Sequence, residues 1–267
     1  MLSNFHTHTL LCDGKSTPEE VVLSAIEKGF SSLGFSSHAP TDFDKSYCLK
    51  DVEEYLSTIR TLKEKYQKDI QIYVGIEEDA YQWCDRSRFD YLLGSSHYLK
   101  VGEIYHQLDC GADKLKKCVE AFSGDPLKLA EAYFSQFVAY IKERKPDIVG
   151  HFDLITKYEE TQTDWFLSNP DYHKIAEKYI KIAAENDVIF EVNTGAIARG
   201  VRTNPYPYEN LLHILKKADA KLILNADSHH KDTLDCHFQE TKKYLKEIGF
   251  HALYTLYNHE FQKVALL

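Results

Sequence analysis

Near the start of the chain, His6 and His8 alternate with threonine in "NFHTHTLLCDG", and Asp13 follows on the same stretch. On an extended segment, residues two apart face the same side, so the two imidazoles project together and can converge on one point. Two neutral imidazoles beside a carboxylate suit a divalent transition metal. The same donor types recur at His38, Glu77, His97, His151, Asp227 and His229, each at the C-terminal end of a segment that reads as a strand. A lone histidine at a strand end is most often a hydrogen-bonded structural residue, and His106, His173, His213, His237 and His251, on helical or loop segments, are read that way. Recurrence at successive strand ends sets the first group apart. Within it, packing His6 against His8 costs desolvation unless the rings share a ligand or each finds a partner. Glu77 lies in the acidic stretch "GIEED", but strand parity places it with Tyr73 and Gly75 rather than with Ile72, Val74 and Ile76.

Some architecture must bring those strand ends together. After a first strand ending near Phe5, "STPEEVVLSAIEKGF" carries a helix start, with Thr17 as N-cap, Pro18 at the first helical position, Glu20 completing a capping box and Gly29 as the stop. Further strands are predicted at "SSLGFSSH", "IQIYVGIEE", "FDYLLGSSH", "PDIVGHFD", "DVIFEVNTG" and "AKLILNADSHH". Helices are predicted at "LKDVEEYLSTIRTLKEKYQ", "PLKLAEAYFSQFVAYIKERK", "DYHKIAEKYIKIAAEN", "YENLLHILKKAD" and "LDCHFQETKKYLKEIG", and "FHALYTLYN" reads as a last extended piece. Residues 102–126 read as a loop and short helix inserted between two regular units. Repeated β-then-α units favour a parallel sheet with right-handed crossovers, open or closed. An open sheet would hold the donors of its first and last strands far apart, whereas closure brings all of them to one rim. The expectation is therefore an α/β barrel, one domain over residues 1–267, with a metal site at the C-terminal rim of the strands.

Composition narrows the partners. With 267 residues, 43% of them hydrophobic, the chain can bury a large core, and a formal net charge of −9 argues against a nucleic-acid-binding face. A small anionic substrate stays compatible with that charge, because metal ions or one or two arginines reverse the field locally. No apolar run approaches a membrane span, no targeting segment is evident, and the six cysteines form no C-x-x-C pair. The expectation is a cytoplasmic protein with no membrane and no nucleic-acid partner. Oligomeric state leaves no mark in the sequence.

"FHTHTLLCDG", His38 in "SSH", "GIEE", "GSSH", "GHFD" and "NADSH" together resemble, in the same order, the motif series of the polymerase and histidinol phosphatase (PHP) family. The overall length, "GHFDLITKY" and "NTGAIARG" look most like its free-standing histidinol-phosphate phosphatases. The resemblance implies a distorted (β/α)7 TIM-like barrel and a phosphatase that converts L-histidinol phosphate to L-histidinol and phosphate in histidine biosynthesis. It also implies three divalent ions: one held by His6, His8, Glu77 and Asp227, a second by Glu77, His97 and His151, a third by Asp13, His38 and His229. The mixture of imidazole and carboxylate suits Zn, Mn or Fe better than Ca or Mg. Glu77 would bridge two ions sharing the hydroxide that attacks phosphorus. Arg199, on the rim after the sixth strand, is the first candidate for gripping phosphate oxygens and Arg202 the second. His230 is a candidate to touch phosphate or protonate the leaving alkoxide, and Lys157 and Tyr158 are further substrate contacts. Glu78, Asp79 and Asp153 are the acidic residues near the rim that would read the substrate's amine and imidazole. Alternative readings are a phosphatase for another small phosphomonoester or for protein phosphotyrosine, and a non-catalytic metal-stabilised binding module. Against the last, closed structural sites take four ligands and usually use cysteine, and the donors here are cysteine-free and too numerous for one ion.

Overall fold

A computed structural model describes residues 1–266. In chain order the strands are β1 (Ser3–Asn4), β2 (Ser32–Phe35), β3 (Gln71–Asp79), β4 (Tyr91–Ser95), a hairpin of β5 (Tyr98–Val101) and β6 (Ile104–Gln107), β7 (Ile148–Val149), β8 (Ile189–Asn193), β9 (Lys221–Asn225), and a C-terminal hairpin of β10 (Ala252–Tyr257) and β11 (Glu260–Ala265). The helices are α1 (Pro18–Glu27), α2 (Val52–Lys65), α3 (Ala112–Ala121), α4 (Pro126–Arg144), α5 (Pro170–Ala184), α6 (Gly195–Ala198), α7 (Glu209–Lys217) and α8 (Phe238–Ile248). Seven strands form one parallel sheet in the order β1-β2-β3-β4-β7-β8-β9. Strand order follows chain order, as an alternating β/α sequence with uniform crossovers requires.

The sheet curls until its edges meet. Thr7 bridges Ser228 in parallel, with His8 N–H donating to Ser228 O (2.8 Å) and Ser228 N–H to His6 O (3.0 Å). One step lower, side-chain amides stand in for ladder bonds: Asn225 Oδ1 accepts from Phe5 N–H (2.8 Å) and Asn4 Oδ1 from Ala226 N–H (3.1 Å). The result is a nearly closed, seven-stranded distorted (β/α)7 TIM-like barrel. The seam is made just where β1 and β9 end, and that is where the donor residues begin.

Helix starts follow local chemistry. Thr17 and Glu20 form the expected capping box, and Asp51, Asp125 and Asn169 accept N–H groups at the starts of α2, α4 and α5, with Pro126 and Pro170 in their first turns. The helices bury their apolar faces on the outside of the sheet, while Phe5, Tyr73, Tyr91, Leu93, Ile148, Ile189, Ile223 and Leu256 fill the barrel. Tyr91 crosses that interior beneath Gly34 and Gly75, its hydroxyl donating to Phe5 O (2.7 Å) and Phe35 O (3.1 Å). Leu256 on β10 closes the opposite end of the barrel from the donors.

Five segments differ from expectation. His6 and His8 lie beyond the end of β1, and β7 is two residues long, so these donors sit on chain already leaving the sheet. Over 98–107, reaching into the segment read as a loop, the structure adds a hairpin, turning at Gly102 (φ 60°), before the short helix α3; its polar residues on both faces hid the strand period. The terminal piece "FHALYTLYN" is one arm of a second hairpin, turning at Asn258 and His259, both left-handed. Finally, α8 begins at Phe238 because His237 is left-handed (φ 60°) and cannot continue a helix from Leu234. No helix among the described residues is long and apolar enough to cross a membrane.

Gly75→Ala tests the barrel filling. Its new methyl group would overlap the Tyr91 ring, which cannot retreat without losing its two carbonyl partners. Overpacking of this kind is expected to cost about 1–3 kcal/mol, read as a lowered denaturation midpoint.

Candidate metal centre

The donors reach the barrel mouth from six of the seven strands or from the loops after them. His6, His8 and Asp13 follow β1, His38 follows β2 and bridges to Glu77 on β3, His97 follows β4, His151 follows β7, and Asp227 and His229 follow β9. Asp227 takes a left-handed backbone (φ 44°), a conformation that aspartate tolerates better than most residues and that turns the chain as it leaves β9.

Glu77, 1% exposed, is the centre of the set. Its Oε2 lies 3.3 Å from His6 Nε2, 3.4 Å from His8 Nε2 and 2.9 Å from His38 Nδ1, and its Oε1 lies 3.3 Å from both His97 Nε2 and His151 Nε2. Asp227 Oδ1 stands 3.5 Å from His6 Nε2 and 3.3 Å from His8 Nε2. Donors arranged tetrahedrally at 2.0–2.1 Å from one ion lie about 3.4 Å from each other, so these separations are those of ligands sharing an ion. Asp13 Oδ2 gathers a further group, 3.6 Å from His38 Nε2 and 3.3 Å from His229 Nε2, nearer the solvent.

The chemistry of the donors fits metal ions. His6 Nε2, His8 Nε2 and Glu77 Oε2 are buried, face one another and find no hydrogen-bond partner among the described residues. Orphaned polar atoms in such positions are costly unless something binds them. Behind them, a hydrogen-bonded layer fixes the ring orientations. Glu191 Oε1 pairs with His6 Nδ1 (2.7 Å), and its Oε2 accepts from His151 N–H (2.9 Å). Asn193 and Asn225 donate to the same carboxylate. Ser95 Oγ donates to Glu77 Oε1 (2.6 Å), and Asp79 Oδ2 accepts from His97 N–H (3.0 Å).

Charge follows from this crowding. Burial, with His229 and His38 nearby, pushes His8 down to about 3, so it is a neutral donor. Burial also opposes protonation of His97, but Glu77 and Asp79 outweigh it and raise it to about 10. His6 is likewise raised against burial, by Glu191, Glu77 and Asp227. Glu77 and Asp227 stay well below the usual carboxylate range despite burial, Glu77 through His6, His38 and His97, and Asp227 through Arg199 and His6. Protons and divalent ions thus compete for the same atoms.

A cavity of about 230 Å³ opens over the donors, its further lining including Tyr47, Tyr98, Gln107, Asp109, Lys157 and Arg199. Arg199 lines it as expected, but its Nη2 donates to Asp227 Oδ2 (2.9 Å) and its Nη1 to Asp227 O (3.1 Å), so it also aims a donor carboxylate. Lys157 Nζ donates to Asp109 O (2.8 Å) and lies 3.2 Å from Asp109 Oδ2.

Other expected site residues stand elsewhere. Arg202 is buried between the Tyr206 and Tyr208 rings, 3.8 Å from each centroid, and donates to Thr156 Oγ1 and Pro205 O; these aromatic partners hold it inside the fold and away from the cavity. His230 points outward, its Nδ1 accepting from Asp232 N–H at the start of a short turn, so it does not reach the cavity. Tyr158 turns from the cavity to pin the Asp109 loop, its hydroxyl donating to Asp109 O. Glu78 is taken by Arg144 and Tyr140, and Asp153, whose Oδ2 accepts from Tyr208 N–H, is fully buried; neither lines the cavity.

Two features escaped the sequence reading. Glu191 is a charged residue in the otherwise apolar strand "DVIFEVNTG", a signal that was present; the cavity wall from the β5–β6 hairpin left none.

The PHP domain model matches residues 4–195. A Schizosaccharomyces pombe protein named "Probable histidinol-phosphatase" is 26% identical over 272 residues, 94% of this chain and 87% of its own. The Lactococcus lactis histidinol-phosphatase is 25% identical over 263 residues, 94% of this chain and 92% of its own. The crystal structure of the Lactococcus lactis histidinol phosphate phosphatase, complexed with Zn, L-histidinol and phosphate, shares the fold, with a TM-score of 0.73 over 98% of each chain at 20% identity.

Two outcomes are expected from this geometry. Since His97 keeps its proton up to about 10 when only protons compete, loading the protein with Zn²⁺ should release protons, and affinity should climb as pH rises toward that value; calorimetry in buffers of different ionisation enthalpy measures the release. Arg202→Ala should cost on the order of 2–3 kcal/mol of stability through lost ring and carbonyl contacts, read by chemical denaturation, while leaving metal content intact.

Proposed function

The chain belongs to the PHP domain family, and from that premise we propose that it is a metal-dependent phosphatase hydrolysing L-histidinol phosphate to L-histidinol and phosphate, a step of histidine biosynthesis. The observation that carries the reading is the set of donor atoms around Glu77, spaced as ligands sharing ions and opening onto a cavity. His6, His8, Glu77 and Asp227 would hold one divalent ion, Glu77, His97 and His151 a second, and Asp13, His38 and His229 a third, with Zn, Mn and Fe all compatible with nitrogen and oxygen donors. Bound there, such ions neutralise phosphoryl oxygens and bring the pKa of an attacking water toward neutrality.

The chain's own residues do the rest. Glu77 offers one oxygen to each of two donor groups and so fixes their separation. Arg199 holds Asp227 in place and brings positive charge to the cavity wall, where Lys157 adds a second cation. Those charges favour a phosphate dianion in a protein whose net charge is −9. A cavity of about 230 Å³ suits a small phosphomonoester. A purely structural metal module has no use for such a cavity or for this many donors.

We also read residues 1–267 as one domain, supported by the seam that joins β1 to β9. Placement in the cytoplasm is supported by the six cysteines, all unpaired among the described residues, as expected in a reducing compartment.

Elemental analysis of the metal-replete protein is expected to give more than one ion per chain; a ratio that never exceeds one would contradict a shared Glu77. Glu77→Gln should lower kcat for histidinol phosphate by roughly a thousandfold or more, with circular dichroism unchanged. Near-normal turnover by that variant would remove Glu77 from the site.

A further inference from the structure

L-Histidinol phosphate carries an ammonium group on the carbon next to the one bearing the phosphoryl ester, so a site selective for it needs an anion close to its phosphate-binding cations. Three carboxylates line the cavity among the described residues: Asp13, Asp227 and Asp109. Asp13 and Asp227 face the histidine cluster. Asp109 has no histidine of the cluster within ion-pair distance among the described residues; its direct partner is Lys157, with Nζ 3.2 Å from Oδ2.

The Asp109 carbonyl is held by two donors. It accepts from Lys157 Nζ (2.8 Å) and from the Tyr158 hydroxyl, which in turn accepts from Gly111 N–H. The main chain at Asp109 is therefore anchored, and its carboxylate is held against Lys157. Burial would raise its pKa, but Lys157, with His97 and His151, brings it down to about 2. A cation and an anion side by side on the cavity wall mirror the substrate's own phosphoryl and ammonium groups. Charge complementarity of this sort discriminates between substrates, because an analogue without the amine leaves the half-buried carboxylate without its extra partner.

We propose that Asp109 is the counter-ion of the substrate's ammonium group, and that it sets a preference for phosphomonoesters bearing an amine on the adjacent carbon. This rests on histidinol phosphate being the substrate, and the test separates the two. The readout is a ratio of kcat/KM values, aminated over amine-free, for two pairs: L-histidinol phosphate with its deamino analogue, and O-phosphoethanolamine with ethyl phosphate. In the native enzyme both ratios should exceed one. Asp109→Asn should reduce both by roughly 10- to 100-fold, mainly through KM. Because each ratio is internal to one preparation, partial loss of folded enzyme does not distort it. Ratios near one in the native enzyme, or ratios unchanged in Asp109→Asn even if all rates fall together, would overturn the assignment and leave Asp109 as a residue that only positions Lys157. If the native enzyme turns over the ethanolamine pair but not histidinol phosphate, the substrate reading fails, and the second ratio still decides the role of Asp109.

Discussion

A carboxylate buried at the mouth of the barrel is the constraint on which the rest of the site depends. Glu77 is almost without solvent contact, and an ionised group so placed is tolerated only where opposite charge surrounds it. Five imidazoles converge on its two oxygens, and each of them must come from a different turn of the chain or the next residue but one. Only a closed ring of strands delivers side chains to one point from so many directions. The need to satisfy one carboxylate and the closure of the sheet are thus two views of the same arrangement.

Closure is not left to the backbone alone. β1 and β7 are two residues long, too short to hold the barrel by ladder bonds, and polar side chains take over where they end. Asn4 and Asn225 join the seam, and Asn225 also donates to Glu191, which holds His6 from behind and the His151 backbone from the side. The groups that close the barrel and those that orient the donors form one hydrogen-bonded network. In such a network a lost partner strands a buried polar group elsewhere, which makes the donor geometry stiff.

The cavity above this layer is built by different means. Its walls come from the loop after β2, from the β5–β6 hairpin and its exit loop, and from the segments after β7 and β8, with Lys157 and Arg199 tied to carboxylates and not left free in solvent. Cations held in this way keep fixed positions at little further entropic cost when an anion arrives. The same logic removed Arg202: two tyrosine rings flanking it made a position inside the fold better than one on the rim.

The donor residues and the alternating β/α rhythm were legible in the sequence because both are local: a donor type at the end of an apolar run, and a period that changes from two to 3.6. From these the barrel followed, since an open sheet would have scattered His6 and Asp227. Glu77's inward face was legible as well, through its parity with Tyr73 and Gly75. Which arginine faces the cavity, where His230 points and what Glu78 binds were not legible. Arg199 and Arg202 are three residues apart on one loop, and only the aromatic neighbours that fold over Arg202 distinguish them. His230 follows a donor directly, yet the turn it caps sends it outward, and Glu78 follows another but meets Arg144 from a distant helix. The sequence determined which residue types were available and on which elements they lay. The tertiary structure decided the partner each one found, because burial and charge pairing are settled between segments far apart in the chain.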